Sequence, residues 1–282
     1  MNVAPRYLGR GSWLARRDPR VLILALVCFV FAVVQIWDGR LMAVLAVIAF
    51  LYYRTAGIPL RAVRLQWAYV LLFVGFIVTV NTIITGGSLR GIAAASVHTY
   101  FRLPLLGTPV SAESVSYALT QLMRFLSMAA LGFPIAFAIG PSDIGPAFAR
   151  LRIPDRFAYA VDLTFRFIPS LAGELSTTID AQRIRGYDYE RAGRGPLGRI
   201  RRVVPVLVPV AINAIVGAED TIDAMDLRCF GTGRRTWLRE LVMDRTDRAL
   251  LAGFGLLFVV VTVLGFNGAS NLWVFPFLIP SP

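Results

Sequence analysis

The chain contains no lysine; all 29 of its basic residues are arginine. A phosphate-cradling glycine loop ends on a lysine, so ATP hydrolysis by that route is excluded. There is one histidine, His98, and there are two cysteines, Cys28 and Cys229. Nitrogen and sulfur metal sites draw on clusters of these residue types, so no metal site is expected and His98 reads as a plain loop residue. One cysteine sits in an apolar run and the other in the polar middle of the chain, which argues against a disulfide framework. Acidic residues are also scarce, 17 in all. Asp180, Asp188, Glu190, Glu219, Asp220, Asp223 and Asp226 interleave with arginines and read as charge balance on solvated helix faces. No catalytic group and no cofactor are expected.

Apolar residues are what the chain has in excess. They make up 56% of 282 residues, above what a soluble domain carries, and several runs reach membrane-spanning length. The fold class is therefore all-α, a polytopic helical membrane protein. A net charge of +12 could point to nucleic acid. Here the arginines fall between the apolar runs, where they orient a protein in the bilayer, so the expected partner is lipid and not nucleic acid.

Five spans are expected: 21–37, 41–53, 67–85, 114–139 and 249–266. The second is short for a crossing and leans on Tyr52, Tyr53 and Arg54 as interfacial anchors. Residues 86–113 read as an external loop or interfacial segment. Arginines number five in 1–20, three in 54–64 and 17 in 140–248. The opposite side receives Arg40, Arg90 and Arg102, while Arg124 falls inside a span. This imbalance predicts a cytosolic N-terminus and an external C-terminus, with 54–64 and 186–202 cytosolic. Arg124 has two readings, a functional intramembrane charge or an arginine reaching back to the interface. Asn81, between Thr79 and Thr82, reads as an interhelical hydrogen-bonding site.

Three regions follow: 1–139 with four spans, 140–248 as a cytoplasmic domain, and 249–282 as the last span and tail. From 140 to 248 apolar positions recur at helical spacing among charges, with no clean span. Residues 157–185 and 203–227 read as two long helices separated by a loop over 188–202. Pro205 and Pro209 are expected to bend the first turns of the second helix. The two helices end alike. Ala181-Gln182-Arg183-Ile184-Arg185-Gly186-Tyr187 is echoed by Ala224-Met225-Asp226-Leu227-Arg228-Cys229-Phe230. Arg183 gives way to Asp226 between the copies, whereas Arg185 and Arg228 persist. One arginine per helix tip suits docking on a partner's carboxylates; contact with lipid phosphates is the plainer alternative.

Leu151-Arg152-Ile153-Pro154 is followed by Phe165-Arg166-Phe167-Ile168-Pro169, with Glu174 five residues on. With both helix ends and Ala218-Glu219, this pattern resembles the transmembrane T component of energy-coupling factor (ECF) transporters. That family includes subunits of cobalt, nickel and biotin importers. The resemblance implies a non-catalytic subunit with two cytosolic ATPase partners and a small substrate-binding membrane subunit, serving vitamin or metal-ion uptake. It assigns docking to Ile184, Arg185, Gly186, Leu227, Arg228 and Cys229, with Ala181, Ala224, Glu174 and Glu219 in support. Cys229 departs from the small residue that the family places at the tip. An independent channel or secondary transporter is the alternative, resting on Arg124 and Asn81.

Overall fold

The computed structural model describes residues 13–58, 60–85, 99–102, 109–187, 196–233 and 241–266. Helix α1 covers Pro19–Gln35 and α2 covers Gly39–Thr55. Each begins at an aspartate whose side chain accepts from the amide two residues on: Asp18 from Arg20 at 2.9 Å and Asp38 from Arg40 at 2.8 Å. At 17 residues, each is about 26 Å long, short of a hydrocarbon core of ~30 Å.

Helix α3 (Leu60–Thr85) starts seven residues before the expected 67. The difference is physical. Arg61 and Arg64 do not end a helix; they let it project past the apolar boundary. Within 86–113, expected to be irregular, strands β1 (Thr99–Arg102) and β2 (Pro109–Ser111) pair antiparallel. Helix α4 covers Ala112–Ala138, and α8, the last among the described residues, covers Arg245–Leu264.

Between them lie α5 (Pro141–Arg150), α6 (Asp155–Ile184) and α7 (Pro196–Leu227). Two expectations fail here. Residues 196–202 are helical, because Pro196 suits a first helical position and the arginines after it are good helix formers. Pro205 and Pro209 thus lie in the interior of α7 and not in its first turns. In addition, Val203–Leu227 is long and apolar enough to cross a membrane, as are Val63–Val80, α4 and α8. The absence of a clean span between 140 and 248 is corrected on that ground: the acidic residues of α7 are confined to its last turns.

The contacts divide the chain into two compact units. One holds the described residues of Gly140–Leu241, the other those of Tyr7–Ile139 with Val242–Pro282. In the second unit α2 packs on α4, α1 on α8 and α4, and α3 on α4. Phe29, Ala32, Val33, Met42, Ala49 and Leu131 are buried in this core. Trp67 joins it edge-on to Tyr53 and Phe133, at ring-centroid distances of 5.8 and 5.3 Å. At the start of α8, Asp244 and Asp247 form a capping box. Hydrogen bonds from the Arg245 amide and the Thr246 hydroxyl hold the Asp244 carboxyl below its usual range.

In the first unit α5 packs on α6 and α6 on α7. Gly145 sets the spacing of the first pair, since a Cβ there would sit 2.6 Å from Asp162 Cβ and 3.1 Å from the Ala158 carbonyl oxygen. Gly145→Ala is therefore expected to destabilise the chain by about 1–2 kcal/mol despite its better helix propensity. Thermal unfolding in detergent checks this, and an unchanged or higher midpoint would contradict the close approach.

Candidate functional site

The C-termini of α6 and α7 end in the same hydrogen-bonded cap. In α6, the Tyr187 amide donates to the Gln182 carbonyl and the Gly186 amide to that of Arg183, both at 2.9 Å. In α7, the Phe230 amide donates to the Met225 carbonyl at 3.0 Å and the Cys229 amide to that of Asp226 at 2.9 Å. This double closure satisfies carbonyls that a helix end leaves open. It requires a left-handed residue just past the cap. Gly186 fills it at φ +82° and Cys229 at φ +54°.

The echo read in the sequence is thus one in three dimensions. Positions 181–187 and 224–230 follow the same order of exposure: the third residue before the cap and the second after it are half-buried, and the rest are exposed. Arg185 and Arg228 occupy the cap itself in both. The residue before each arginine is an exposed large aliphatic, Ile184 at 89% and Leu227 at 87% exposure. Each tip therefore offers an apolar knob and a guanidinium side by side.

At the second tip the left-handed position is held by Cys229, a residue with a side chain. A side chain in the left-handed region costs about 1 kcal/mol that glycine avoids. Cys229→Gly is expected to stabilise the tip by about that amount, raising amide-exchange protection at Phe230; lower protection would contradict the cap geometry.

The half-buried positions of each cap are the ones that touch the neighbouring helix. Gln182 Nε2 donates to the Pro205 carbonyl at 3.3 Å. At the other tip Tyr159 packs on Phe230 with centroids 4.6 Å apart, and its hydroxyl reaches Met225 Sδ at 3.7 Å. The helices therefore run antiparallel, and the tips lie at opposite ends of the pair. From Tyr159 to Arg185 α6 extends about 39 Å. Tyr159 was not legible as a site residue, because its partners are 66 and 71 residues away and it carries no local signal.

The other candidates fall as follows. Arg183 makes an exposed ion pair with Asp180 at 3.5 Å, one helical turn away. Ala181, Ala224 and Glu219 are exposed. Glu174 is half-buried on α6, and its Oε2 has no hydrogen-bond partner among the described residues. Arg124 belongs to the other unit, in the middle of α4, and is only 7% exposed. It donates to the Ile36 carbonyl at the end of α1 and lies 4.6 Å over the Trp37 ring. Trp37 in turn stacks on Tyr117 at 5.8 Å and 12°. Asn81 lies on α3 with its side chain outside the described residues, as does all of His98. Cys28 and Cys229 are not joined in a disulfide. Among the described residues no group of three or more His, Cys, Asp or Glu side chains could hold a metal ion.

These features define a multi-pass helical membrane protein, one of whose two units presents two matched helix tips. Residues 10–237 match the CbiQ family, described as cobalt transport proteins. The chain belongs to this family, and with it to the transmembrane components of ECF transporters. It is 26% identical over 267 residues to the energy-coupling factor transporter transmembrane protein EcfT of Limosilactobacillus fermentum, covering 90% of this chain and 92% of that one. The protein of the same name from Thermanaerovibrio acidaminovorans is 32% identical over 245 residues, 84% of this chain and 86% of its own. That from Thermosediminibacter oceani is 37% identical over 128 residues, 45% of this chain and 48% of its own.

Proposed function

We propose that this transporter component acts mechanically, each tip docking on its own cytosolic ATPase subunit. The observation that carries the reading is the matched pair of caps at opposite ends of α6 and α7. Two copies of one knob, about 39 Å apart along the helix, suit two copies of one groove on paired subunits. Nucleotide-driven approach of those subunits would move the tips toward each other. The antiparallel helices would then carry the motion to a membrane-embedded, substrate-binding subunit. In this scheme the chain itself holds no nucleotide and performs no catalysis.

The same pairing bears on where α7 lies. Although apolar enough to cross a membrane, it is braced near both ends against α6, whose 30 residues include seven charged ones. Carrying those charges into hydrocarbon costs roughly 2.5–3.5 kcal/mol apiece for arginine or aspartate. Both helices are better placed at the cytosolic surface. The exposed apolar residues of α7, such as Leu207, Ile212 and Ile215, would then face the bilayer or the substrate-binding subunit. With the arginine distribution, this supports a cytosolic N-terminus and an external C-terminus. The channel or secondary-transporter alternative is weakened, because Arg124 is engaged by the Ile36 carbonyl and the Trp37 ring.

Affinity purification of the tagged chain from its native membrane tests the reading. It should bring down two nucleotide-binding subunits and one small membrane protein, with substrate uptake dependent on ATP. Full transport by the chain alone in vesicles would overturn it.

A further inference from the structure

An open apolar groove of about 440 Å³ runs along one face of α8. Thr246 stands at one end and Leu257 at the other, with Gly253 and Phe254 between, and Trp13 and Ile48 form the opposite wall. Along α8 this is about 16 Å of helix. Gly253 opens the groove, since a Cβ built on it meets no atom within 4 Å. Because α8 is membrane-spanning in length and composition, most of the groove lies at hydrocarbon depth.

Its Thr246 end has a different character. Arg17 donates to the Thr246 hydroxyl and lies 4.3 Å over the Trp13 ring. The acidic groups there are committed: Asp244 and Asp247 lie 3.5 and 3.8 Å from Arg17, and Asp18 holds Arg20 at 2.5 Å. Three further arginines, Arg16, Arg245 and Arg248, are exposed around the same end. A tryptophan and a ring of cations at the interface, opening on an apolar slot directed into the membrane, have the form of a phospholipid site.

We propose that this groove binds an anionic phospholipid, its acyl chain along Gly253 and Phe254 and its phosphate among Arg16, Arg245 and Arg248. A zwitterionic lipid fits the slot but brings no net charge to the cations. A helix of another membrane protein fits the slot but gives the arginines no role. Each cation near an anionic headgroup contributes about 1 kcal/mol, or roughly fivefold in affinity.

The test is a native mass spectrometry titration of the full chain in detergent with phosphatidylglycerol and with phosphatidylcholine of the same acyl chains. Phosphatidylglycerol should bind at least tenfold more tightly. Gly253→Leu, which fills open space and raises helix propensity, should weaken it about tenfold without lowering the unfolding temperature. The double variant Arg245→Gln/Arg248→Gln should lose most of the preference for the anionic lipid, whereas Arg40→Gln, at the α1–α2 turn, should keep it. Equal binding of the two lipids, an unchanged Gly253→Leu, or an equal loss in Arg40→Gln would each overturn the proposal. So would loss of a co-purifying membrane protein in Gly253→Leu at unchanged lipid binding.

Discussion

Replacing Arg185 and Arg228 together by alanine is expected to abolish both ATPase association and ATP-driven uptake while leaving the protein at normal abundance in the membrane. Both residues sit at the cap of an exposed tip, so their removal leaves no cavity, and both caps are closed by backbone hydrogen bonds that alanine preserves. The loss therefore falls on docking. If each guanidinium is buried against a partner carboxylate in the complex, truncation strands that carboxylate at a cost of about 2–5 kcal/mol. That is more than tenfold per site, and the double variant should be worse than either single one because the tips are too far apart to share a partner. Arg183→Ala is the control: its guanidinium pairs with Asp180 on its own helix, in an exposed contact with little bearing on stability. If the arginines served only to touch lipid phosphates, all three variants would behave alike and assembly would survive. Pull-down and uptake measured on the four variants decide the matter; an intact double variant would remove the docking role.

The tips were legible in the sequence because helix caps are local. The information for each closure lies within seven consecutive residues, and glycine at 186 announces the left-handed position. Cys229 hides the same conformation, since nothing in its side chain signals a positive φ. Of the five expected spans, those over 67–85, 114–139 and 249–266 recur in α3, α4 and α8, which are long and apolar enough to cross. Those over 21–37 and 41–53 fall on helices of only 17 residues, and the element ends were not legible. The start of α3 among arginines and that of α7 within a glycine- and arginine-rich stretch both look like loop. Composition cannot separate a solvated helix turn from a loop when the neighbouring unit supplies no pattern. Arg124 was visible as an anomaly, yet its meaning depended on the Ile36 carbonyl, 88 residues away. Helix α5 left no trace beyond a proline after a glycine, because its role is to lie against α6 at Gly145, a contact that only the fold creates.

The brace at Tyr159 leads to the second large effect. Tyr159→Ala removes the ring packed on Phe230 and the hydroxyl at Met225, the two half-buried positions that hold the second tip against α6. Since Tyr159 is half-buried, the cost should fall below that of a core aromatic, at about 2–3 kcal/mol. It should appear as loosening of one tip and not as global unfolding, because the first tip is held separately through Gln182 and Pro205. Cys229 offers a native reporter. With Cys28 replaced by serine, a nitroxide on Cys229 should become markedly more mobile in Tyr159→Ala and stay ordered in Tyr159→Phe, which keeps the ring. Coupling should follow the same order: ATP-driven uptake falls in the alanine variant and is restored by phenylalanine, while the ATPases remain attached through Arg185. A spin label equally ordered in all three proteins would mean that Tyr159 does not position the tip. A mobile tip with undiminished uptake would mean instead that positioning is real but that the second tip does not transmit motion.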